Sequence, residues 1–270
     1  MSWTKELFGH EKPVVALLHI RALPGDPLSD ESLSDVLAHA RADLHALQNG
    51  GVDGILFSNE FSLPYQAKTD ICTIAAMAYI IGALKSEITI PFGVDVIMDP
   101  AASIDLAAAT GAKFVRGIFT GAYVGDGGIY NTDVANVLRR KKALGLDEVK
   151  LLYFLNCESD AYLAERRLED IAKSVIFNCH PDVLCISGPG AGLEASSEWI
   201  KSVRKNTGDV PVFANTGCNA QNIIEKLTVS DGCCVGTTFK YEGKFNNFID
   251  EKRVSEFMSQ VRKYRTENND

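Results

Sequence analysis

The stretch 211-PVFANTGCNAQNIIEKLTVSDGCCVGTTFK-240 decides the fold. Two short apolar runs each give way to a small polar turn: Asn215-Thr216-Gly217 and Gly236-Thr237-Thr238. An apolar run of this length, bounded by turn residues, reads as a buried strand. The turn after such a strand, where it leads into a helix, leaves backbone N–H groups free. Those groups attract an anion without many basic side chains. In (β/α)8 barrels such turns follow the last two strands and hold a phosphate. The other reading is two tight connections whose glycines serve backbone geometry alone.

Outward from this stretch, strand and helix patterns alternate along the whole chain. VVALLHI is a first strand. A helix capped by Ser32 or Ser34 runs to Gln48 and ends at Gly50-Gly51. DGILFSN is the second strand, and an apolar helix follows from Thr69 to Lys85. PFGVDVIM precedes a helix opened by Asp99-Pro100 and closed at Gly111. KFVRGIF, VKLLYFL and VLCIS are the fourth, fifth and sixth strands. Their helices are placed at Val134–Leu144, Tyr162–Asn178 and Glu194–Lys205. NAQNIIEKL and Glu251–Arg265 complete eight strands and eight helices, a parallel sheet with helices outside. An open doubly wound sheet would also alternate. The count of eight and the lack of a polar edge strand favour closure into a (β/α)8 TIM barrel. One domain over 1–270 is expected, because no low-complexity linker interrupts it. The long first and fourth βα connections, the latter TGAYVGDGGIYNTD, are expected to be lids.

The chain has 270 residues, 46% hydrophobic content and a formal charge of −8. It has no long basic run, which argues against nucleic acid or an anionic membrane as partner. Local N–H groups can still hold a small anionic substrate. Seven cysteines without CxxC spacing fit a reduced, cytoplasmic protein. Cys233 and Cys234 are expected to pack on opposite faces of one strand. The N-terminus is too charged for a signal peptide, and the apolar segment 71–84 is too short to span a bilayer, so no membrane insertion is expected. A homo-oligomer is expected.

In a barrel, residues at the C-terminal strand ends converge on one pocket. Strand by strand these are His19 and Arg21; Ser58, Asn59 and Glu60; Asp95 and Asp99; Arg116; Asn156 and Glu158; Ser187; Asn215 and Thr216; and Thr237. His19 suits general acid/base work, or is a core histidine satisfied by a carbonyl. Asp95 lies between valines and needs a partner. Arg116 is the obvious one, whether as an interior ion pair or as a tuned catalytic pair. Glu60 and Asp95 could share a Mg2+ ion, although no cofactor is firmly implied and no spacing motif marks a metal site. His19, Glu60, Asp95 and Arg116 are thus the catalytic candidates. Asn59, Asn156, Ser187, Gly188, Asn215, Thr216, Gly217, Gly236, Thr237 and Thr238 are the substrate-binding candidates. The 187-SGPGAG-192 loop would supply further N–H groups. Lys240 could close on a phosphate as a point charge, or be an exposed loop lysine. Lys113 and Lys150 begin their strands, at the wrong end of the barrel for a Schiff base.

These segments also carry a resemblance. LLHIRALPGDP (17–27), GGVDGILFSNEFSLPY (50–65), GAKFVRGIFTGAYVGDGGI (111–129), ISGPGAG (186–192), and VFANTGCNAQNI with DGCCVGTTFK resemble the BtpA/SgcQ family, on its SgcQ-like branch, over essentially the full chain. Many members carry Glu-Asn where this chain has Ser58-Asn59, and Asn where it has Asp95; Glu60 could substitute for the missing Glu. The resemblance implies a TIM barrel of the ribulose-phosphate-binding type. SgcQ-like members resemble enzymes encoded among sugar-transport and sugar-phosphate genes, whereas BtpA is associated with photosystem I biogenesis. The expected function is an enzyme of carbohydrate metabolism acting on a small phosphorylated substrate such as a sugar phosphate. Its phosphate would sit at the last two turns, with proton-transfer chemistry of the isomerase, epimerase or aldolase kind across the mouth. The alternatives are a non-catalytic assembly factor and a metal-dependent phosphate or nucleotide hydrolase.

Overall fold

A computed structural model describes residues 2–190 and 192–268. Ala191, inside the glycine-rich loop, lies outside the described residues. In chain order the elements begin with α1 (Trp3–Phe8), β1 (Val14–His19), α2 (Leu33–Gly50), β2 (Gly54–Ser58) and α3 (Ile71–Leu84). Next come β3 (Phe92–Asp95), α4 (Pro100–Thr110), β4 (Phe114–Gly117), β5 (Ala122–Gly125) and β6 (Gly128–Asn131). The chain continues through α5 (Val134–Ala143), β7 (Lys150–Phe154), β8 (Ala161–Tyr162), α6 (Leu168–Cys179), β9 (Val183–Ile186) and α7 (Ser197–Arg204). It closes with β10 (Val212–Ala214), α8 (Ile223–Val229), β11 (Cys233–Val235) and α9 (Glu251–Asn268).

Eight parallel strands close into a barrel in the order β1-β11-β10-β9-β7-β4-β3-β2. The expected (β/α)8 architecture is therefore the fold. Period-two alternation sorts the strand residues into two sets. One set, Val15, Leu17, Leu56, Phe114, Leu152, Val183, Cys185, Phe213 and Cys234, fills the barrel interior. The other, which includes Cys233, packs outward under the helices. Cys233 and Cys234 thus face opposite ways, as alternation requires.

Local chemistry sets the helix ends. Ser32 caps α2 through a capping box with Asp35, and Gly51 ends it at φ 89°. Asp99 caps α4, with Pro100 in its first turn.

Three regions depart from the sequence expectation. The short α1 closes the bottom of the barrel: Phe8 meets Phe114 edge-on at 5.5 Å. A Cβ on Gly54 would stand 2.7 Å from the Phe8 ring, so the small residue there makes room for the plug. The fourth βα connection is not a bare loop. β5 and β6 form a hairpin, and β8 adds a third antiparallel strand. Tyr162, expected to open a helix, instead belongs to β8 and packs edge-on against Tyr123 at 5.2 Å. The helix starts six residues later, at Leu168. Similarly, α7 starts at Ser197, because Ser196 caps it and Glu194 is drawn aside to Lys226.

Candidate active site

The alternation that fills the interior also builds the site. One step beyond the layer of Leu17, Leu56 and Phe114, the inward positions become polar. His19 stands in register with Ser58, and Ser58 with Asp95. Continuing the β3–β4 register from Gly93 and Phe114 brings Asp95 opposite Arg116. Ser187 and Asn215 hold the same layer beyond β9 and β10.

Arg116 is the hub. Its Nε donates to Asp95 Oδ2 at 2.9 Å, the pairing expected from sequence. Its Nη1 donates to Asn215 Oδ1 at 3.1 Å, and Glu60 Oε1 lies 3.7 Å from Nη2. The guanidinium also covers the Phe154 ring at 4.9 Å. Asn215 Nδ2 passes the chain on to Ser187 Oγ at 2.9 Å. Burial pushes the Asp95 carboxyl up to about 6, partly offset by Arg116 and reinforced by Glu60. Burial works against the Arg116 charge, but Asp95 and Glu60 more than offset it, so the guanidinium stays protonated.

His19 is buried, and neither ring nitrogen has a hydrogen-bond partner among the described residues. The carbonyl-satisfied alternative is therefore not what the structure shows. Glu60 Oε1 lies 3.9 Å from Nε2. Burial, then Lys240 and Arg116, hold the imidazole well below its ordinary range, so the ring is neutral near pH 7. Gly236 stands beside it: a Cβ there would be 2.6 Å from His19 Nε2. This glycine makes room for the histidine, a role the sequence reading did not assign to it.

Glu60 accepts from Ser58 Oγ at 3.3 Å and from the Tyr65 hydroxyl at 3.2 Å. Glu158 follows β7 and lies within reach of the charges of Arg116, Glu60 and Asp95. Burial first, then Glu60 and Asp95 against Arg116, push its carboxyl up to about 7. Glu158 was visible in sequence as a strand-end residue; its half-buried position among other carboxylates was not. Glu60 and Asp95, the candidate Mg2+ pair, both face Arg116 instead. Among the described residues no group of three His, Cys, Asp or Glu side chains is placed to hold a metal ion.

The substrate-binding candidates divide. Asn156 clips the Ser187 backbone from both sides, donating to its carbonyl at 2.9 Å and accepting from its N–H at 3.1 Å. Asn59 Oδ1 accepts from Ile97 N–H at 2.8 Å. Gly188 N–H is spent on Thr216 Oγ1 at 2.6 Å, which removes it from the free donors. Gly217, at φ 70°, lies beneath the backbone of Leu193 and Glu194, where a Cβ would come within 2.3 Å of Glu194 Cα. Its N–H, and those of Thr237 and Thr238, meet no protein acceptor among the described residues. The Thr238 hydroxyl donates to the Cys218 carbonyl at 2.7 Å.

Lys240 is neither exposed nor free to reach the turns. Its Nζ donates to the Phe245 carbonyl at 2.6 Å and lies over the rings of Phe61 and Phe245, at 4.8 and 5.0 Å. Phe245 in turn covers His19, with ring centroids 5.6 Å apart. These aromatics roof the mouth, and no sequence signal marked them, since each sits in a loop without periodicity. An open cleft of about 700 Å3 adjoins the site at Asn156 and Gly188 and extends outward to Arg167 and Trp199.

A closed eight-stranded parallel barrel with an inward-facing ring of charged, imidazole and amide side chains at its C-terminal mouth defines a (β/α)8 barrel protein. The family model for the BtpA family matches residues 10–263, and the chain belongs to that family. It is 52% identical to the sgc region protein SgcQ of Escherichia coli, over 97% of this chain and 98% of that one. It is 28% identical to the photosystem I biogenesis protein BtpA of Synechocystis, over 94% of this chain and 89% of that one. Among solved structures, native KDPGal matches with a TM-score of 0.60 and 15% identity, covering 98% of this chain and all of that one. Phosphoribosyl anthranilate isomerase from Thermus thermophilus matches with a TM-score of 0.54 and 12% identity, covering 93% and 98%. At such identities these two likenesses concern the fold alone. No helix among the described residues is long and apolar enough to cross a membrane.

Proposed function

We propose that the protein is an enzyme acting on a small phosphorylated carbonyl compound of the sugar-phosphate class, by proton transfer at the carbon next to the carbonyl. One observation carries this reading: the two ring nitrogens of His19 are buried, unpartnered and adjacent to Glu60. Buried polar atoms are ordinarily satisfied, and one left open at a barrel mouth is a group awaiting a substrate. A neutral imidazole can accept a proton, or donate a hydrogen bond to a carbonyl oxygen, without carrying charge into an apolar site. Arg116 would hold developing negative charge on the substrate oxygen. Asp95 and Glu158, with carboxyls at about 6 and about 7, exchange protons near neutrality.

The phosphate is placed at the turns after β10 and β11, now on fewer donors: the N–H groups of Gly217, Thr237 and Thr238. Titration calorimetry with inorganic phosphate and a panel of sugar phosphates tests the placement. The wild type should bind, and Thr237→Glu, which puts a carboxylate at the turn, should weaken binding by tenfold or more, on the order of one screened like-charge contact. Equal affinity in both would remove phosphate from these turns. Gly217→Val is unsuitable as a test, because the added Cβ would strike the Glu194 backbone.

A further inference from the structure

Four Lys and Arg side chains are buried among the described residues. Three are held by a carboxylate: Arg116 by Asp95 at 2.9 Å, Lys226 by Glu194 at 2.5 Å, and Arg265 by Asp53 at 2.5 Å. The fourth, Lys240, has no carboxylate oxygen within 4.0 Å among the described residues. Its Nζ has one carbonyl partner and two aromatic faces, which compensate an ammonium in part but do not replace an ion pair. A buried amine left in this way favours its neutral form, which is also its nucleophilic form. Two further features set Lys240 apart. It directly follows the 3-10 turn Thr237–Phe239 at the C-terminal end of β11, the catalytic end of the barrel. It also shares the Phe245 roof with His19, whose buried ring nitrogens have no hydrogen-bond partner among the described residues.

We propose that Lys240 is the nucleophile of this site and condenses with the carbonyl of the substrate to form an imine. The proposal rests on the carbonyl-substrate reading above and sharpens it, because an imine activates the neighbouring C–H or C–C bond for isomerisation, epimerisation or cleavage. In the first step the Nζ lone pair attacks the carbonyl carbon, and the C=O electron pair moves to oxygen, which takes up a proton. The carbinolamine then loses that oxygen as water and leaves a protonated C=N bond. No oxidant or reductant is required. His19 and Glu60 are the groups on hand to move the protons. The charged and titratable groups facing Lys240 are Asp43, Glu60, Arg21 and His19. Burial outweighs the attraction of Asp43 and Glu60 and brings the ammonium down to about 8.

The test is reductive trapping on the intact protein. Dihydroxyacetone and dihydroxyacetone phosphate are each added near pH 8 with borohydride, and adducts are mapped by peptide mass spectrometry. The expected result is an adduct on Lys240 at roughly a hundredfold the level of an exposed lysine such as Lys252, because burial leaves far more of the Lys240 amine in its neutral, nucleophilic form near pH 8. Lys226, equally buried but ion-paired, should stay unmodified. Lys240→Arg keeps the charge but cannot form the imine, and should lose the adduct. Should that variant fail to fold, the Lys240-to-Lys226 ratio in the wild type decides the matter alone. An adduct no more abundant on Lys240 than on Lys226 or Lys252 overturns the proposal. Calorimetric binding of the phosphate ester without an adduct would sink the lysine and leave the proposed function standing. Trapping that gains nothing from the phosphate would do the reverse.

Discussion

At His19 the histidine, its neighbouring glycine and the adjacent acids form one unit, and each makes a separate prediction. His19→Ala and Asp95→Asn should each lower kcat by about 10²–10⁴, the range for losing a positioned proton-transfer group, with thermal unfolding showing both variants folded. Gly236→Ala places a methyl 2.6 Å from His19 Nε2 in a site with no slack. It should cost about 1–3 kcal/mol in denaturant unfolding and shift the His19 ring resonances, whereas a glycine serving only a turn would leave the ring unmoved. Glu158→Gln should remove any rise in kcat/KM as pH passes through about 7, the value to which burial and the nearby carboxylates bring Glu158. Lys240 makes a stability prediction of defined sign. Between its folded value of about 8 and the ordinary 10.5, the unfolded chain holds a proton that the folded chain has released. Stability should therefore rise with pH across that window, and Lys240→Met should abolish the rise, as read from urea midpoints at its two ends.

At the scale of elements, strand periodicity made much of the site legible from sequence. His19, Asp95, Arg116, Ser187 and Asn215 were placed at the mouth because each falls toward the C-terminal end of its strand, and strand parity turns all of them inward. The Asp95–Arg116 pair could be named because an inward carboxylate needs a cation and the next strand supplies one. The connections were harder to read. Gly188 looks like a phosphate-loop glycine, but whether its N–H is free depends on where Thr216, after the adjacent strand, places its hydroxyl, a tertiary fact without local signature. The sheet of β5, β6 and β8 was not legible in the expected lid, because the β5–β8 pairing joins residues nearly forty apart. Lys240 was misplaced for a related reason: the aromatics that bury it, Phe61 and Phe245, come from two loops distant in sequence.

Across the whole molecule, the barrel keeps its two ends apart. The bottom is closed by α1, whose Phe8 packs against Phe114, and the top carries the polar ring. Phe8→Ala should cost about 3–5 kcal/mol in denaturant unfolding, typical for a buried aromatic, and leave ligand binding at the mouth intact. Loss of binding in the folded variant would show that the ends are coupled. The alternation of eight strands and eight main helices was plain in the sequence, so the architecture was readable before any contact was known. What the fold is used for depends on a few buried groups whose partners are missing, and only coordinates show a missing partner. The central claim is that His19 and its neighbours move a proton on a carbonyl substrate. Proton NMR in D2O tests it most directly, with a panel of ketose and aldose phosphates incubated with the wild type and with His19→Ala. The account predicts catalytic exchange of solvent deuterium into the position next to the carbonyl of at least one compound, lost in the variant. No exchange with any compound, or equal exchange by both proteins, would contradict it.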